Sequence, residues 1–136
     1  MLGDFSLFLS LSEPFKRPLS SAVPTIIEKD GKVEVVIGAS GGSRITSSTT
    51  QSILNMIDFN VNVYDAIKDP DRLHHQFLPN EISVDSTFST SLEQFLKSRK
   101  HEVRRLPEGV TMSGVSGVRR LADGTIEGMH DSLVFV

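Results

Sequence analysis

A strand-like apolar run that ends in a pair of glycines constrains the fold of this chain most strongly. The run VVIGASGGSRIT, residues 35–46, places Gly41 and Gly42 between a β-branched segment and a polar segment with helical character. Glycine adopts backbone angles that other residues avoid, so the pair predicts a tight turn from a strand into a helix. Backbone N–H groups at a helix start lack intrahelical partners, so this turn is a candidate site for negative charge.

Two Asp-Gly dipeptides, at positions 30–31 and 123–124, predict β-hairpins. The first joins strand-like residues 23–27 to residues 33–37, and the second lies within residues 116–131. Asp-Gly is favoured at two-residue hairpin turns because both positions adopt positive φ. The chain is therefore expected to contain antiparallel sheet near both of its ends.

Three segments have the apolar spacing or the boundary residues of helices. They are residues 43–59 with Ser43 as the predicted N-cap, residues 61–70 ending at Pro70, and residues 89–98. The positions predicted to face inward are Ile45, Thr49, Ile53, Met56 and Ile57 in the first helix and Leu92, Phe95 and Leu96 in the last.

Short strands are predicted within residues 76–85 and 101–107, and a loop over residues 107–117. Helices and antiparallel strands are thus segregated along the chain rather than strictly alternating. This order indicates an α+β fold.

The glycine turn matches neither common phosphate-binding motif. A P-loop requires lysine and then serine or threonine after its last glycine, whereas Ser43 and Arg44 follow Gly42. The dinucleotide motif G-x-G-x-x-G requires a glycine where Ser40 stands. Two interpretations remain: a plain strand-to-helix turn, or a pair of backbone N–H donors that stabilises the oxyanion of a tetrahedral intermediate.

Other polar residues give weaker indications. Ser20 and Ser21 are either part of a polar loop or a pair of hydroxyls that binds a carboxylate. Neighbouring side chains on an extended chain point to opposite sides, so His74 and His75 are not predicted to share a metal ion, and the other two histidines have no ligand-like spacing to them. The chain has no cysteine and no G-x-S-x-G elbow, and no metal or cofactor is predicted.

The charge pattern does not indicate nucleic-acid binding. The formal net charge is −3, and the basic stretch at residues 97–105 contains no aromatic residue, so it is interpreted as a solvated surface. The apolar run at residues 5–11 is too short to span a bilayer and is interpreted either as a core segment or as badly bounded sequence.

Three segments, taken together, resemble one protein family. They are KRPLSSAVPTI at residues 16–26, VVIGASGGSRIT at residues 35–46 and DPDRLHHQFLPNE at residues 69–81. Their order and spacing are similar to those in the small subunit of γ-glutamyltranspeptidases, also called γ-glutamyltransferases or glutathione hydrolases. The chain is interpreted as a single partial domain over residues 1–136, with poorly matching ends at residues 1–16 and 132–136.

The resemblance implies a fold and a reaction. The family belongs to the N-terminal nucleophile hydrolases, whose fold is a four-layer αββα sandwich, here incomplete. A proenzyme cleaves itself, and the new N-terminal threonine of the small subunit attacks the γ-glutamyl amide of glutathione or a related conjugate, with its own α-amine as base. Water, an amino acid or a dipeptide then accepts the glutamyl group. No cofactor is implied.

The resemblance also assigns roles to five residues. Gly41 and Gly42 match the glycine pair whose N–H groups form the oxyanion hole. Ser20 and Ser21 match the serines that bind the α-carboxylate of the glutamyl group. Asp4 matches an aspartate that binds the α-ammonium, although Gly3 stands where the family has a further aspartate.

Two parts of the enzyme are expected to lie outside this sequence. The family's nucleophile lies upstream of the segment that contains Asp4, and the internal threonines have no free α-amine. The large subunit, which carries an arginine for the α-carboxylate and any attachment to the extracellular face or the vacuolar membrane, is also missing. The chain alone is thus expected to be inactive and to expose sheet edges and an apolar face. The alternatives are a non-catalytic module that binds γ-glutamyl ligands, or an inactive pseudogene fragment.

Overall fold

The structure, a computed structural model, describes residues 13–131 of the 136-residue chain. In chain order the elements are β1 (Thr25–Lys29), β2 (Lys32–Ser40), a 3₁₀ turn (Gly42–Arg44), α1 (Ile45–Ile57), α2 (Val63–Lys68), β3 (Leu73–Gln76), β4 (Glu81–Val84), α3 (Thr90–Ser98), β5 (Val103–Arg105), β6 (Gly114–Arg120) and β7 (Ile126–His130). The α+β class expected from the sequence is confirmed.

The strands form two sheets. The larger sheet is antiparallel throughout and has the order β1-β2-β6-β7. The smaller sheet has the order β3-β4-β5, in which β3 pairs antiparallel and β5 pairs parallel to β4. Both predicted hairpins are confirmed: β1 joins β2 at residues 30–31, and β6 joins β7 around Gly124, whose φ is 90°. The helices and the smaller sheet are inserted between β2 and β6.

The main core lies between the larger sheet and the helices α1 and α2. Alternate residues of β2 face this layer, as the two-residue period of a strand requires. The buried cluster consists of Val35, Ile37, Met56, Val63, Ala66, Ile67 and Val115. Burying one side chain of the valine or isoleucine type stabilises the fold by about 1.5–3 kcal/mol. This layer therefore fixes β2 and β6 against α2 and the C-terminal half of α1, and the glycine turn connects β2 to the start of the same helix.

The opposite face of the larger sheet is apolar and uncovered. Ile26, Val36 and Val118 are direct cross-strand neighbours on β1, β2 and β6. Their side chains are 65%, 45% and 44% exposed. This is the exposed apolar face that the sequence predicted for an isolated half of a sandwich. Within residues 13–131, no helix is long and apolar enough to cross a membrane.

Three details of the predicted helices and loops are wrong. Ser43 is not the N-cap of α1: it lies inside the 3₁₀ turn, and α1 begins after Arg44 with no side-chain cap. The positive φ of both glycines tightens the chain before the helix starts, and the N-cap moves one residue on, from Ser43 to Arg44. The adjacent histidines lie in strand β3, which the sequence pattern does not predict. The expected loop over residues 107–117 ends earlier, because β6 already begins at Gly114.

The inward faces of the helices are only partly as predicted. In α3, Leu92 and Phe95 are 41% and 54% exposed, and only Leu96 packs against the small cluster formed by Ile82, Val84 and Phe88. The smaller sheet has three short strands, so it covers a narrow stripe of this helix. At the end of α1, Ile57 is 40% exposed rather than inward.

Candidate active site

The glycine turn connects the end of strand β2, in the larger sheet, to helix α1. Ser40, the last residue of β2, is paired with Gly114, the first residue of β6. Gly41 then adopts φ 130° and ψ 21°, and Gly42 adopts φ 65°. Side chains other than hydrogen are rarely tolerated at such angles. The turn closes when the N–H of Arg44 donates to the carbonyl of Gly41 at 3.3 Å.

The two glycines are needed for different reasons. A Cβ at Gly41 would lie 2.7 Å from the Cβ of Ser113 and 3.1 Å from the carbonyl oxygen of Met112. A Cβ at Gly42 would meet nothing within 4 Å. Gly41 is therefore held by close packing as well as by its backbone angles, whereas Gly42 is required by its angles alone and borders open space.

The backbone N–H groups of the turn have donor capacity to spare. Among residues 13–131, no hydrogen bond from the N–H of Gly41 or Gly42 to the rest of the chain is found. The turn precedes a helix start, whose dipole adds partial positive charge. The arrangement is chemically suited to an oxygen atom that carries or develops negative charge.

The segment that carries the serine pair enters the larger sheet at the end where the turn leaves it. Ser20 and Ser21 are exposed and precede β1, whose first residue Thr25 is paired with Ile37 of the antiparallel β2. The chain before β1 and the chain after β2 thus leave the sheet at one end. The Ser20 hydroxyl accepts a hydrogen bond from the N–H of Ala22 at 3.1 Å, so its own proton is available to another acceptor. Asp4 lies outside the residues that the structure describes.

A charged network that no sequence motif indicates connects the end of α2, the residue before β3 and the residue after β7. Arg72 is 5% exposed and donates from Nη2 to Oδ2 of Asp131 at 2.7 Å, with Nζ of Lys68 3.8 Å from the other carboxylate oxygen. These groups are distant in sequence, and no local motif could have paired them.

Asp85, at the end of β4, belongs to the same network. Burial raises the pKa of its carboxyl above the ordinary value, against a hydrogen bond from the N–H of Met112 and the charges of Arg72 and Arg44, which lower that pKa. Asp131 adds a smaller upward contribution to the same pKa. Oδ1 of Asp85 and Nη1 of Arg72 are buried and lack partners among the described residues.

The two adjacent histidines point to opposite sides, as predicted. His74 is buried, with Nδ1 2.7 Å from the Ser47 hydroxyl and Nε2 3.4 Å from Oε1 of Gln76. A Ser-His-Asp triad would have a carboxylate as the second partner of the histidine, whereas the second partner of His74 is the amide of Gln76. His75 is exposed and its Nε2 lies 2.8 Å from Oδ1 of Asn80.

The sequence spacing of the histidines misses one contact that the fold creates. The rings of His75 and His101 lie 6.4 Å apart, because β5 follows α3 back to the smaller sheet. In the part of the chain that the structure describes, no group of three potential metal-ligating side chains is present.

Comparison with known proteins places these features in one family. Residues 9–133 match the family described as gamma-glutamyltranspeptidase. A glutathione hydrolase proenzyme of Arthroderma benhamiae is 44% identical over 115 residues, which are 84% of this chain and 19% of that protein. The glutathione hydrolase proenzyme of Escherichia coli is 41% identical over 119 residues, 87% of this chain and 20% of that protein. The chain thus spans about a fifth of the length of these relatives.

Solved structures give the same family. The T380A mutant of Helicobacter pylori gamma-glutamyltranspeptidase superposes with a TM-score of 0.76 at 33% identity, over 88% of this chain and 64% of that one. The layer of helices on one face of the larger sheet is accordingly part of an N-terminal nucleophile hydrolase fold. On the family match and these likenesses together, the chain belongs to the γ-glutamyltranspeptidase family.

Proposed function

We propose that this sequence supplies the oxyanion hole and the glutamyl-binding serines of a γ-glutamyltransferase, also a glutathione hydrolase. The observation that carries the proposal is the Gly41–Gly42 turn, whose two N–H groups find no acceptor among residues 13–131. The threonine nucleophile comes from sequence outside these 136 residues, as does the large subunit.

In the proposed reaction, the hydroxyl oxygen of that threonine bonds to the γ-glutamyl carbonyl carbon. Its α-amine takes the hydroxyl proton, and the carbonyl oxygen becomes an oxyanion that accepts hydrogen bonds from Gly41 and Gly42. The carbon–nitrogen bond then breaks, and the leaving amine receives the proton. Each donor to such an oxyanion is typically worth about 10²–10³ in rate. Water, an amino acid or a dipeptide attacks the acyl-enzyme in the second half of the reaction.

The glutamyl group is recognised at its charged end. The hydroxyls of Ser20 and Ser21 donate hydrogen bonds to the α-carboxylate, and Asp4 pairs with the α-ammonium. Support comes from the path of the chain, because the segment that carries both serines enters the larger sheet at the end where the turn leaves it. Hydrogen bonds to charged groups are stronger than neutral ones, so these contacts fix the γ-amide near the turn.

Matched alanine substitutions at two glycines test the proposal. Gly42 and Gly31 have similar φ values, 65° and 71°, and a Cβ at either would meet nothing within 4 Å. Alanine should cost about 1–2 kcal/mol of folding stability at either position. In the native enzyme that contains this sequence, only Gly42→Ala should lower kcat for a γ-glutamyl anilide. Alanine keeps the backbone N–H, but its strain at this φ displaces the donor from the oxyanion, so the loss should approach at most the factor of about 10²–10³ that removal of one donor costs. Equal activities of Gly42→Ala and Gly31→Ala would contradict the oxyanion assignment.

A further inference from the structure

Two buried serines join the glycine turn to the helix behind it. Ser113 and Ser48 are 2% and 0% exposed, and the hydroxyl of Ser113 donates to the hydroxyl of Ser48. Ser113 directly precedes β6, whose first residue Gly114 is paired with Ser40 at the end of β2. Ser48 lies in the first turn of α1. The bond therefore ties the start of β6 to the start of α1, and the glycine turn spans the same gap.

Ser113 also packs directly against Gly41. Its Cβ and Cα are 2.7 Å and 3.0 Å from the point where a Cβ of Gly41 would stand. A peptide packed this closely on one side cannot rotate toward that side. The hydrogen bond to the Ser48 hydroxyl fixes Ser113 in this position, because both hydroxyls are buried and bonded to each other.

The other buried hydroxyls of the same helix have no such link. The hydroxyls of Thr49 and Ser52 are buried and have no hydrogen-bond partner among the described residues. Burial of a hydroxyl on α1 does not by itself produce a contact with the turn. Ser48 is distinguished by its bond to Ser113.

We propose that Ser113 and Ser48 are positioning residues that fix the N–H groups of Gly41 and Gly42. This inference rests on the proposed oxyanion role of the turn. An oxyanion hole requires donors aimed at the place where charge develops, and small displacements of such groups reduce rate sharply. The serine pair fixes the direction of these two N–H groups and does not itself contact the substrate.

The test compares four variants of the native enzyme that contains this sequence. Ser113→Ala and Ser48→Ala remove the bond from either side, and Ser48→Thr keeps the hydroxyl. Ser52→Ala is the matched control, since it removes a buried hydroxyl one turn further along α1 that has no partner in the described part. For a γ-glutamyl anilide, both alanine variants of the pair should lose about tenfold to a hundredfold in kcat with little change in KM. Ser48→Thr should restore most of kcat, and Ser52→Ala should resemble the unaltered enzyme.

Hydrogen exchange supplies a readout that does not depend on activity. The peptide covering residues 36–47 should exchange faster in Ser113→Ala and Ser48→Ala than in Ser52→Ala. If the pair variants match Ser52→Ala in kcat and in exchange, the positioning role is wrong while the proposed function stands. If the unaltered protein has no γ-glutamyl activity, the proposed function fails and the positioning role fails with it.

Discussion

At the scale of single residues, the geometry of the glycine turn depends on Ser113, which packs against Gly41. The glycine pair is recognisable because Gly41 and Gly42 follow a β-branched run, and both adopt positive φ. The residue that packs against Gly41 is not recognisable, because Ser113 is distant in sequence and reaches the turn only through the pairing of β2 with β6. Asp85 was missed for a similar reason, since its burial depends on segments that surround it only in the fold.

Asp85 should make folding stability depend on pH. Burial raises the pKa of its carboxyl in the folded state, so the folded state holds this proton more tightly than the unfolded chain does. The resulting stabilisation is present at low pH and is lost as pH rises through the folded-state pKa. Asp85→Asn cannot titrate and should remove this part of the pH dependence.

Urea unfolding at about pH 4 and about pH 7 measures the effect. The free energy of unfolding of Asp85→Asn, minus that of the unaltered protein, should be more positive at the higher pH than at the lower pH. Glu93→Gln serves as the opposite case, because hydrogen bonds from Lys97 and Arg105 lower the pKa of Glu93, whose stabilisation is lost as pH falls. If the difference in unfolding free energy between Asp85→Asn and the unaltered protein does not change with pH, the pKa of Asp85 is not raised in the folded state.

At the scale of elements, local signals identify hairpins and helices, and long-range contacts decide their ends. Asp-Gly turns predict both hairpins because the turn chemistry is local. The start of α1 is misplaced because the two glycines add a 3₁₀ turn that spacing alone does not show. The exposed Leu92 and Phe95 of α3 depend on the width of the sheet beneath them, which one helix cannot indicate.

The ion pair between Arg72 and Asp131 should be the main polar link between the segment before β3 and the end of β7. The two side chains are 6% and 14% exposed, and removal of one member of a buried pair typically costs about 3–5 kcal/mol. Arg72→Met should therefore lower the free energy of unfolding by an amount near that range, softened by the nearby Lys68.

Arg104→Met is the matched control for this prediction. Arg104 pairs with Glu81 at 2.7 Å but is 56% exposed, so its loss should cost about 0–1 kcal/mol. Chemical denaturation of both variants checks the difference. Similar losses in the two variants would show that Arg72 and Asp131 do not link these segments in the manner described.

At the scale of the whole molecule, one face of the larger sheet has apolar residues but no covering layer within residues 13–131. In the αββα sandwich of the N-terminal nucleophile hydrolases, a second sheet covers such a face. Covering this face would stabilise the fold by about 25 cal/mol for each Å² of apolar surface buried. The fold class could be predicted from the order of elements, but the missing layer could be inferred only from the resemblance.

This open face should make the isolated chain self-associate. Val36→Lys places a charge in the centre of the apolar face and should shift the chain toward monomer in sedimentation velocity experiments. Leu54→Lys is a control, because Leu54 is 43% exposed on α1, on the other side of the sheet. A monomeric unaltered chain, or equal effects of the two lysine substitutions, would show that this face does not drive association.

The mass and the N-terminal residue of the native protein show whether this sequence is part of a processed γ-glutamyltransferase. The protein would be captured from its source with an antibody against residues 99–107 and analysed intact. We expect a subunit longer than 136 residues, with threonine as its first residue. A native protein of 136 residues that begins at Met1 would contradict the enzymatic role and leave a binding module or an inactive fragment.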